Sequence, residues 1–111
     1  MRLVHAANLQ LDKHGAHLWT QDQKHHHGLI RLGHFVYPFS INDRARMLSP
    51  TGSKTFGKSR TNRALVETCR NVHPDLLILG HAQWITAGTL REIRGLLPEI
   101  RIGLWYVDPL W

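Results

Sequence analysis

Apolar residues along the chain form four short runs, separated by longer segments in which apolar residues recur with helical spacing. The four runs are Leu3–Ala7, His34–Phe39, Asp75–Gly80 and Ile102–Val107. Each run has a length typical of a strand. The third is apolar from Leu76 to Leu79, a pattern typical of strands covered on both faces in parallel sheets. Pro38 cannot donate to a strand ladder, so it is expected to mark where the second strand stops pairing.

Three helices are predicted between these strands. Their expected bounds are Gln21 to Leu32, Ser59 or Thr61 to just before Pro74, and Thr86 to just before Pro98. The first follows a capping-box pattern of Thr20 and Gln23 and stops at Gly33. Residues 40–59 show no sustained period and contain Pro50 and Gly52, so they are expected to form a mobile basic loop of about 19 residues.

The alternation of strands and helices predicts an α/β fold in residues 1–111, with a Rossmann-like open parallel sheet of about four strands and helices on both faces. Wound in the manner of dinucleotide-binding folds, the strands have the spatial order 3-2-1-4. The ligand crevice is then expected at the carboxyl ends of strands one and four. Asn8 and Asp108 face each other there, and His81 leaves strand three nearby.

The positive charge of the chain is concentrated in one segment. Fourteen Lys and Arg against eight Asp and Glu give a net charge of +6, and residues 44–70 alone hold seven bases and one acid. Lys54, Lys58 and Arg60 in that segment are the expected anion- or phosphate-binding residues. The distribution indicates an anionic ligand at one edge of the sheet more than a generally basic protein.

Residues Gly52 to Ser59 match the phosphate-binding pattern G-x-x-x-x-G-K-[ST] letter for letter. That motif requires a strand running directly into its first glycine, so that backbone N–H groups point at the phosphates. Residues 42–51 do not have a strand pattern. A P-loop-like nucleotide-binding fragment is therefore an alternative function, and a basic nucleic-acid-binding module is another, although nucleic acid is not the expected partner.

Histidines are the main candidates for acid–base or metal chemistry. His25, His26 and His27 point about 100° apart on a helix and cannot converge on one ion, so they are expected on a solvated face and no metal site is expected. His14 and His17, after the first strand, are the catalytic candidates, because a neutral imidazole can accept a proton from a substrate hydroxyl. Local hydrogen bonding is the alternative role for both.

Aromatic and acidic residues near strand ends are candidate ligand contacts. Trp84, beside His81 after the third strand, can stack on a sugar or a base, or pack under the third helix. Trp105 lies within the fourth strand and is expected in the core. Asp108 can bind sugar hydroxyls or, before Pro109, initiate a turn.

Cysteine content and hydropathy bear on the compartment. Cys69 is the only cysteine, so no disulfide can form within the chain, and it is expected to be a small core residue. No apolar run approaches the roughly 18 residues of a membrane span, and His5 interrupts the first run too early for a signal peptide. A cytoplasmic protein without a membrane span is expected.

Five segments, covering much of the chain, carry a family resemblance. They are Met1–His5, Gly28–His34, His73–His81, Thr86–Pro98 and Gly103–Pro109. Together they resemble the N-terminal domain of two-domain, GT-B-type glycosyltransferases, in particular the bacterial family 1 and spore-maturation-type members. The resemblance implies an acceptor-side domain for a sugar or glycan. The implied acceptor-binding residues are Asn8, His81, Trp84 and Asp108.

The resemblance also implies a second domain. In such enzymes a similar domain binds the nucleotide-sugar donor, and the reaction occurs in the cleft between the two. Because this chain stops at Trp111 after four strands, we expect a truncated domain that is inactive alone. It is expected to need the C-terminal donor domain, or to associate with itself through the open edge of strand four. No bound cofactor is expected apart from the nucleotide sugar of the missing domain.

Overall fold

The computed structural model of the chain describes residues 1–7, 9, 21–41, 54–80 and 85–105. Within this part it contains four strands and three helices. They are β1 (Arg2–Ala7), α1 (Gln21–Arg31), β2 (Phe35–Ser40), α2 (Lys54–Val72), β3 (Leu76–Gly80), α3 (Ala87–Leu96) and β4 (Arg101–Trp105). The seven predicted elements are all present in the predicted order, which confirms the α/β class.

The four strands form one parallel sheet in the order β2-β1-β3-β4. Leu3 of β1 lies opposite Val36 of β2 on one side and Leu76 of β3 on the other, and Ile78 of β3 lies opposite Gly103 of β4. The Rossmann-like open parallel sheet is confirmed, but the predicted order 3-2-1-4 is wrong. The winding reverses between β1 and β3, so the expected ligand crevice moves to the carboxyl ends of those two strands.

The composition of β2 and β3 gives the physical reason for this strand order. The order 3-2-1-4 would place β2 between two neighbours, where Pro38 leaves a ladder position without a donor, and would put the apolar β3 at an edge. The observed order places β2 at an edge, where a proline is tolerated inside a strand. Pairing with β1 therefore continues past Pro38 to Ser40. The apolar β3 lies in the interior of the sheet.

The main hydrophobic core lies on the face of the sheet covered by α2 and α3. Its buried members are Val4, Ala6, Phe39, Ile41, Leu65, Val66, Cys69, Leu77, Leu79, Ile93 and Ile100. Cys69 is buried there as predicted, and burial raises the pKa of its thiol to about 11. Because successive strand residues point to opposite faces, Leu3, His5 and Ala7 of β1 lie on the other face, towards α1.

Helix α2 begins at Lys54, five residues before the earliest predicted start. Its first turns carry side-chain bonds to the backbone: the Thr61 hydroxyl donates to the Gly57 carbonyl at 2.7 Å, and the Asn62 amide donates to the Lys58 carbonyl at 2.9 Å. The predicted loop over 40–59 is therefore wrong for residues 54–59. Those six residues of the phosphate-binding pattern are helical, and a helix does not form the open loop that cradles phosphates.

Helix α3 begins after Thr86, as the sequence predicts. The Thr86 hydroxyl accepts a hydrogen bond from the backbone N–H of Thr89 at 3.2 Å, which caps the helix. The Asn62 side-chain carbonyl of α2 accepts two further bonds, from the Thr86 N–H at 3.0 Å and from the Thr89 hydroxyl at 2.8 Å. Asn62 is buried, and through these bonds it joins the two helices.

The substitution Asn62→Ala is expected to lower the free energy of unfolding by about 1–3 kcal/mol, because it leaves the Thr86 N–H and the Thr89 hydroxyl without this acceptor. Urea unfolding followed by circular dichroism measures the change. Asn71→Ala is the matched control, because Asn71 is exposed on the same helix and its replacement is expected to change stability by no more than about 0.5 kcal/mol. Equal effects of the two substitutions would contradict the joining role of Asn62.

Candidate functional site

Three histidines and a tryptophan meet on the α1 face of the sheet, and we call them the His–Trp cluster. His5 lies in β1, His25 and His26 lie in α1, and Trp105 ends β4. His5 is fully buried and His26 is nearly so. Trp105 and His5 are 100 positions apart along the chain, so the fold alone brings them together.

Gly80 allows the Trp105 indole to reach β1 across the intervening strand. Gly80 lies opposite Trp105 in the register of β3 and β4, and β3 separates β4 from β1. A Cβ atom at position 80 would overlap the indole ring. The missing side chain is therefore the space through which Trp105 passes over β3 to His5.

Hydrogen bonds in the cluster determine where the imidazole protons lie. The Trp105 Nε1–H can only donate, and it lies 3.4 Å from His5 Nε2, which must therefore carry a lone pair. Neutral His5 then holds its proton on Nδ1, which donates across 3.2 Å to His26 Nδ1. His26 in turn holds its proton on Nε2. The result is a directed chain of donors from Trp105 through His5 to His26.

This arrangement disfavours positive charge. Burial, followed by the neighbouring His26 and His25, lowers the pKa of His5 from 6.5 to about 4. Burial and the neighbouring His27 also lower the pKa of His26. A second proton on His5 would sit on Nε2 against the Trp105 N–H, so protonation would break a hydrogen bond as well as bury a charge. His5 is neutral at pH 7.

An open cavity lies beside the cluster. The rings of His25 and Trp105 stack with centroids 4.1 Å apart and an interplanar angle of 23°. Both rings line the cavity, together with Lys24 and Leu29 of α1, Leu32 just after α1, and Ile78 of β3. Its volume is about 590 Å³, within the range of roughly 300–1,000 Å³ that is usual for small-molecule sites.

The predicted anion-binding residues lie at the first turns of α2, away from this cavity. Lys58 and Arg60 are exposed there. Lys58 lines a second cavity of about 440 Å³ with Ser59, Asn62 and Thr86. Lys54 begins the helix, and its side chain lies outside the described residues. Anion binding at this end of α2 stays a prediction.

Six of the predicted site residues lie outside the described residues, so their roles stay predictions. They are Asn8, His14, His17, His81, Trp84 and Asp108. Two other expectations are wrong: His26 is buried against His5 instead of facing solvent, and Trp105 is half-buried beside a cavity instead of in the core. One sequence signal pointed to the cluster. His5 is a polar ring inside an apolar strand, and a buried polar ring needs a partner.

The described residues contain neither a group of side chains suited to hold a metal ion nor a helix suited to cross a membrane. No group of three or more His, Cys, Asp or Glu side chains is placed to hold a metal ion among residues 1–7, 9, 21–41, 54–80 and 85–105. Over the same ranges no helix has the length and apolar character needed to cross a membrane.

The structure places the chain in the class of α/β proteins with a Rossmann-like open parallel sheet. Comparisons with protein-family models, with curated proteins and with solved structures found no match to the chain. Its function is therefore argued from the geometry of the His–Trp cluster and from the resemblance carried by the five sequence segments.

Proposed function

We propose that the chain is the acceptor-side domain of a GT-B-type glycosyltransferase, whose nucleotide-sugar donor is bound by a second domain. The sequence resemblance supports the proposal, as does the parallel α/β sheet on which such domains are built. We further propose a cytoplasmic location, which agrees with a single, buried cysteine.

The cavity beside Trp105 is the observation that carries the proposal. Trp105 belongs to the segment Gly103–Pro109, which is part of the resemblance, and its indole forms one wall of the cavity next to the His25 ring. Aromatic side chains bind the flat or apolar faces of ring-shaped molecules. The cavity therefore suits an acceptor that is held by stacking, with the His25 imidazole at its wall.

Glycosyl transfer to a hydroxyl group releases one proton. In the proposed reaction the acceptor oxygen bonds to the anomeric carbon of the donor sugar, the bond from that carbon to the nucleotide phosphate breaks, and His25 accepts the hydroxyl proton. His5 and His26 are less suited to this role, because both side chains are buried whereas His25 is only partly buried. His14 and His17 stay candidates for the same role.

The P-loop alternative has less support. The motif needs its central residues in an open loop around the phosphates, whereas residues 54–59 belong to α2. The alternative of a nucleic-acid-binding module rests on the basic residues of the same segment, and no feature of the part of the chain that the structure describes adds to it.

Saturation-transfer NMR with the purified chain tests the proposed function. The probes are a panel of hydroxyl-bearing aromatic and saccharide acceptors, together with UDP-glucose and GDP-mannose. At least one acceptor is expected to bind, and Trp105→Ala is expected to weaken its binding at least tenfold. Phe35→Ala is the control, because Phe35 is an exposed aromatic residue on β2 that does not line the cavity.

Two results would contradict the proposal. One is turnover or micromolar binding of a nucleotide sugar by the 111-residue chain alone, which would place the donor site in this domain. The other is the absence of any acceptor whose binding depends on Trp105.

A further inference from the structure

We propose that the cavity beside Trp105 takes a planar, largely apolar molecule that carries one acidic group, and that a glycan is not its ligand. The inference rests on the proposed function in one respect, which is that this molecule is the acceptor of the transferred sugar. The class of molecule follows from the lining of the cavity itself.

The lining offers few hydrogen-bonding groups to a ligand. Leu29, Leu32 and Ile78 have none in their side chains, and the single donor of the Trp105 indole is bonded to His5 Nε2. A glycan entering the cavity would give up water around several hydroxyl groups and find few partners in exchange, which weakens binding. An apolar molecule loses no hydrogen bonds there and gains from the removal of its surface from water.

The tryptophan wall favours a flat ring. Trp105 is held in place by the stack with His25, by the hydrogen bond to His5 and by the close approach over Gly80. An aromatic wall that is already ordered does not lose conformational freedom when a ligand binds. Planar aromatic ligands stack on such a wall in an offset or edge-to-face geometry.

The charges on this face of the sheet favour an acidic ligand. The charged side chains that the structure describes on the α1 face are Lys24 and Arg31 of α1 and Arg101 of β4, all of them basic and exposed. The described carboxylates of Glu67, Glu92, Asp75 and Glu99 lie on α2, on α3 and before β3 and β4. Lys24 lines the cavity, so an acidic group of the ligand would lie at the Lys24 end.

The dimensions of the cavity agree with a ligand of two or three fused rings. Its lining runs from Lys24 of α1 to Leu32, just beyond the helix, and at the helical rise eight positions correspond to a length of about 12 Å. Because His25 follows Lys24, the imidazole lies at the same end as the ammonium group. A hydroxyl next to the acidic group would therefore be close to the candidate base.

The probe 3-hydroxy-2-naphthoate has these properties, and 2-naphthol and maltose serve as comparison ligands. Isothermal titration of the full chain is expected to show the naphthoate binding at least tenfold more tightly than either comparison ligand. Lys24→Gln is expected to remove the preference over 2-naphthol, and Leu32→Ser is expected to weaken both aromatic ligands at least threefold. Leu32 is 72% exposed, so this change does not disturb the core.

Arg91→Gln and Leu96→Ser are the matched controls, since both residues are exposed on α3, away from the cavity. Neither is expected to change binding. Equal affinity of 2-naphthol and the naphthoate, or an unchanged preference in Lys24→Gln, would overturn the acidic ligand. If maltose binds more tightly than the naphthoate and Leu32→Ser abolishes that binding, the proposed apolar ligand is contradicted. The proposed function would remain intact. Conversely, naphthoate binding that depends on Lys24, in a chain that turns over nucleotide sugars alone, would support the ligand class and contradict the acceptor-side role.

Discussion

Lowering the pH from 7 to 4 is expected to reduce the free energy of unfolding by about 3 kcal/mol through His5 alone, at about 1.4 kcal/mol for each unit of pKa shift. The pKa of His5 is 6.5 for the free residue and about 4 in the fold. Between these values the unfolded chain binds a proton that the folded chain excludes. The contribution of His5 is therefore fully present above pH 6.5, falls as the pH decreases, and is lost below pH 4. The lowered pKa of His26 acts in the same direction.

Urea unfolding at four pH values between 7 and 4 measures this effect, and His5→Phe separates the share of His5. Phenylalanine fills a similar volume and does not titrate, so the variant is expected to lose less stability on acidification than the parent chain. His5→Phe also removes the hydrogen-bond acceptor of the Trp105 indole, which changes stability at every pH. The two proteins are therefore compared by how their free energy of unfolding changes with pH, not by its absolute value. His34→Phe, outside the cluster, is the control that keeps the parental pH dependence.

The same pH dependence in His5→Phe and in the parent chain would contradict the neutral, buried state of His5. If His5→Phe does not fold, NMR titration of the His5 ring in the parent chain gives the pKa directly. A value near 6.5 would then contradict the prediction.

Gly80→Ala is expected to be the most damaging single substitution on the α1 face, with a loss of about 3 kcal/mol from overpacking and from the broken hydrogen bond to His5. The added Cβ would overlap the indole of Trp105, and the backbone of an interior strand has little room to shift. Trp105 would have to leave its position over β3, which would also break the stack with His25 and remove one wall of the cavity.

Gly103→Ala is the matched control for this substitution. Gly103 lies on the neighbouring strand, where a Cβ would meet only Leu76 Cδ1 at an ordinary distance of 4.0 Å, so a change within about 0.5 kcal/mol is expected. In a Trp105→Ala background Gly80→Ala is expected to cost little, because the overlapping ring is gone. Full additivity of the two substitutions in urea unfolding would show that Gly80 does not act through Trp105.

Local sequence patterns were sufficient to predict the elements, because each one depends on neighbours along the chain. The uninterrupted apolar run from Leu76 to Leu79 predicts a strand covered on both faces, and Thr86 predicts the start of α3 through its own hydroxyl. The order of the strands depends on which strands pair, and parallel strands have the same apolar pattern in either order. Pro38 distinguishes the two strand orders, because a proline inside a strand favours a position at the edge of the sheet.

The His–Trp cluster could not be predicted from the sequence because its members belong to three elements. Which of the consecutive histidines faces the sheet depends on the rotation of α1 about its axis. Polar bonds help to set that rotation: Gln23 donates to the Leu9 carbonyl at 2.7 Å and His26 bonds to His5. The apolar residues of the predicted helix do not indicate this rotation, because Leu32, just beyond the last turn of α1, is exposed instead of buried.

The pairing of β1 with β3 also affects how the chain folds during its synthesis. Leu3 pairs with Leu76, 73 positions later, so one side of β1 has no β3 partner until the ribosome has made that later strand. At roughly 5–20 residues per second, translation of that stretch takes about 4–15 s. β1 can join β2 during this time, but the strand at the centre of the sheet is completed late. The apolar strand β1 therefore spends several seconds as a half-paired segment, which is when we expect it to be most exposed to aggregation or to capture by a chaperone.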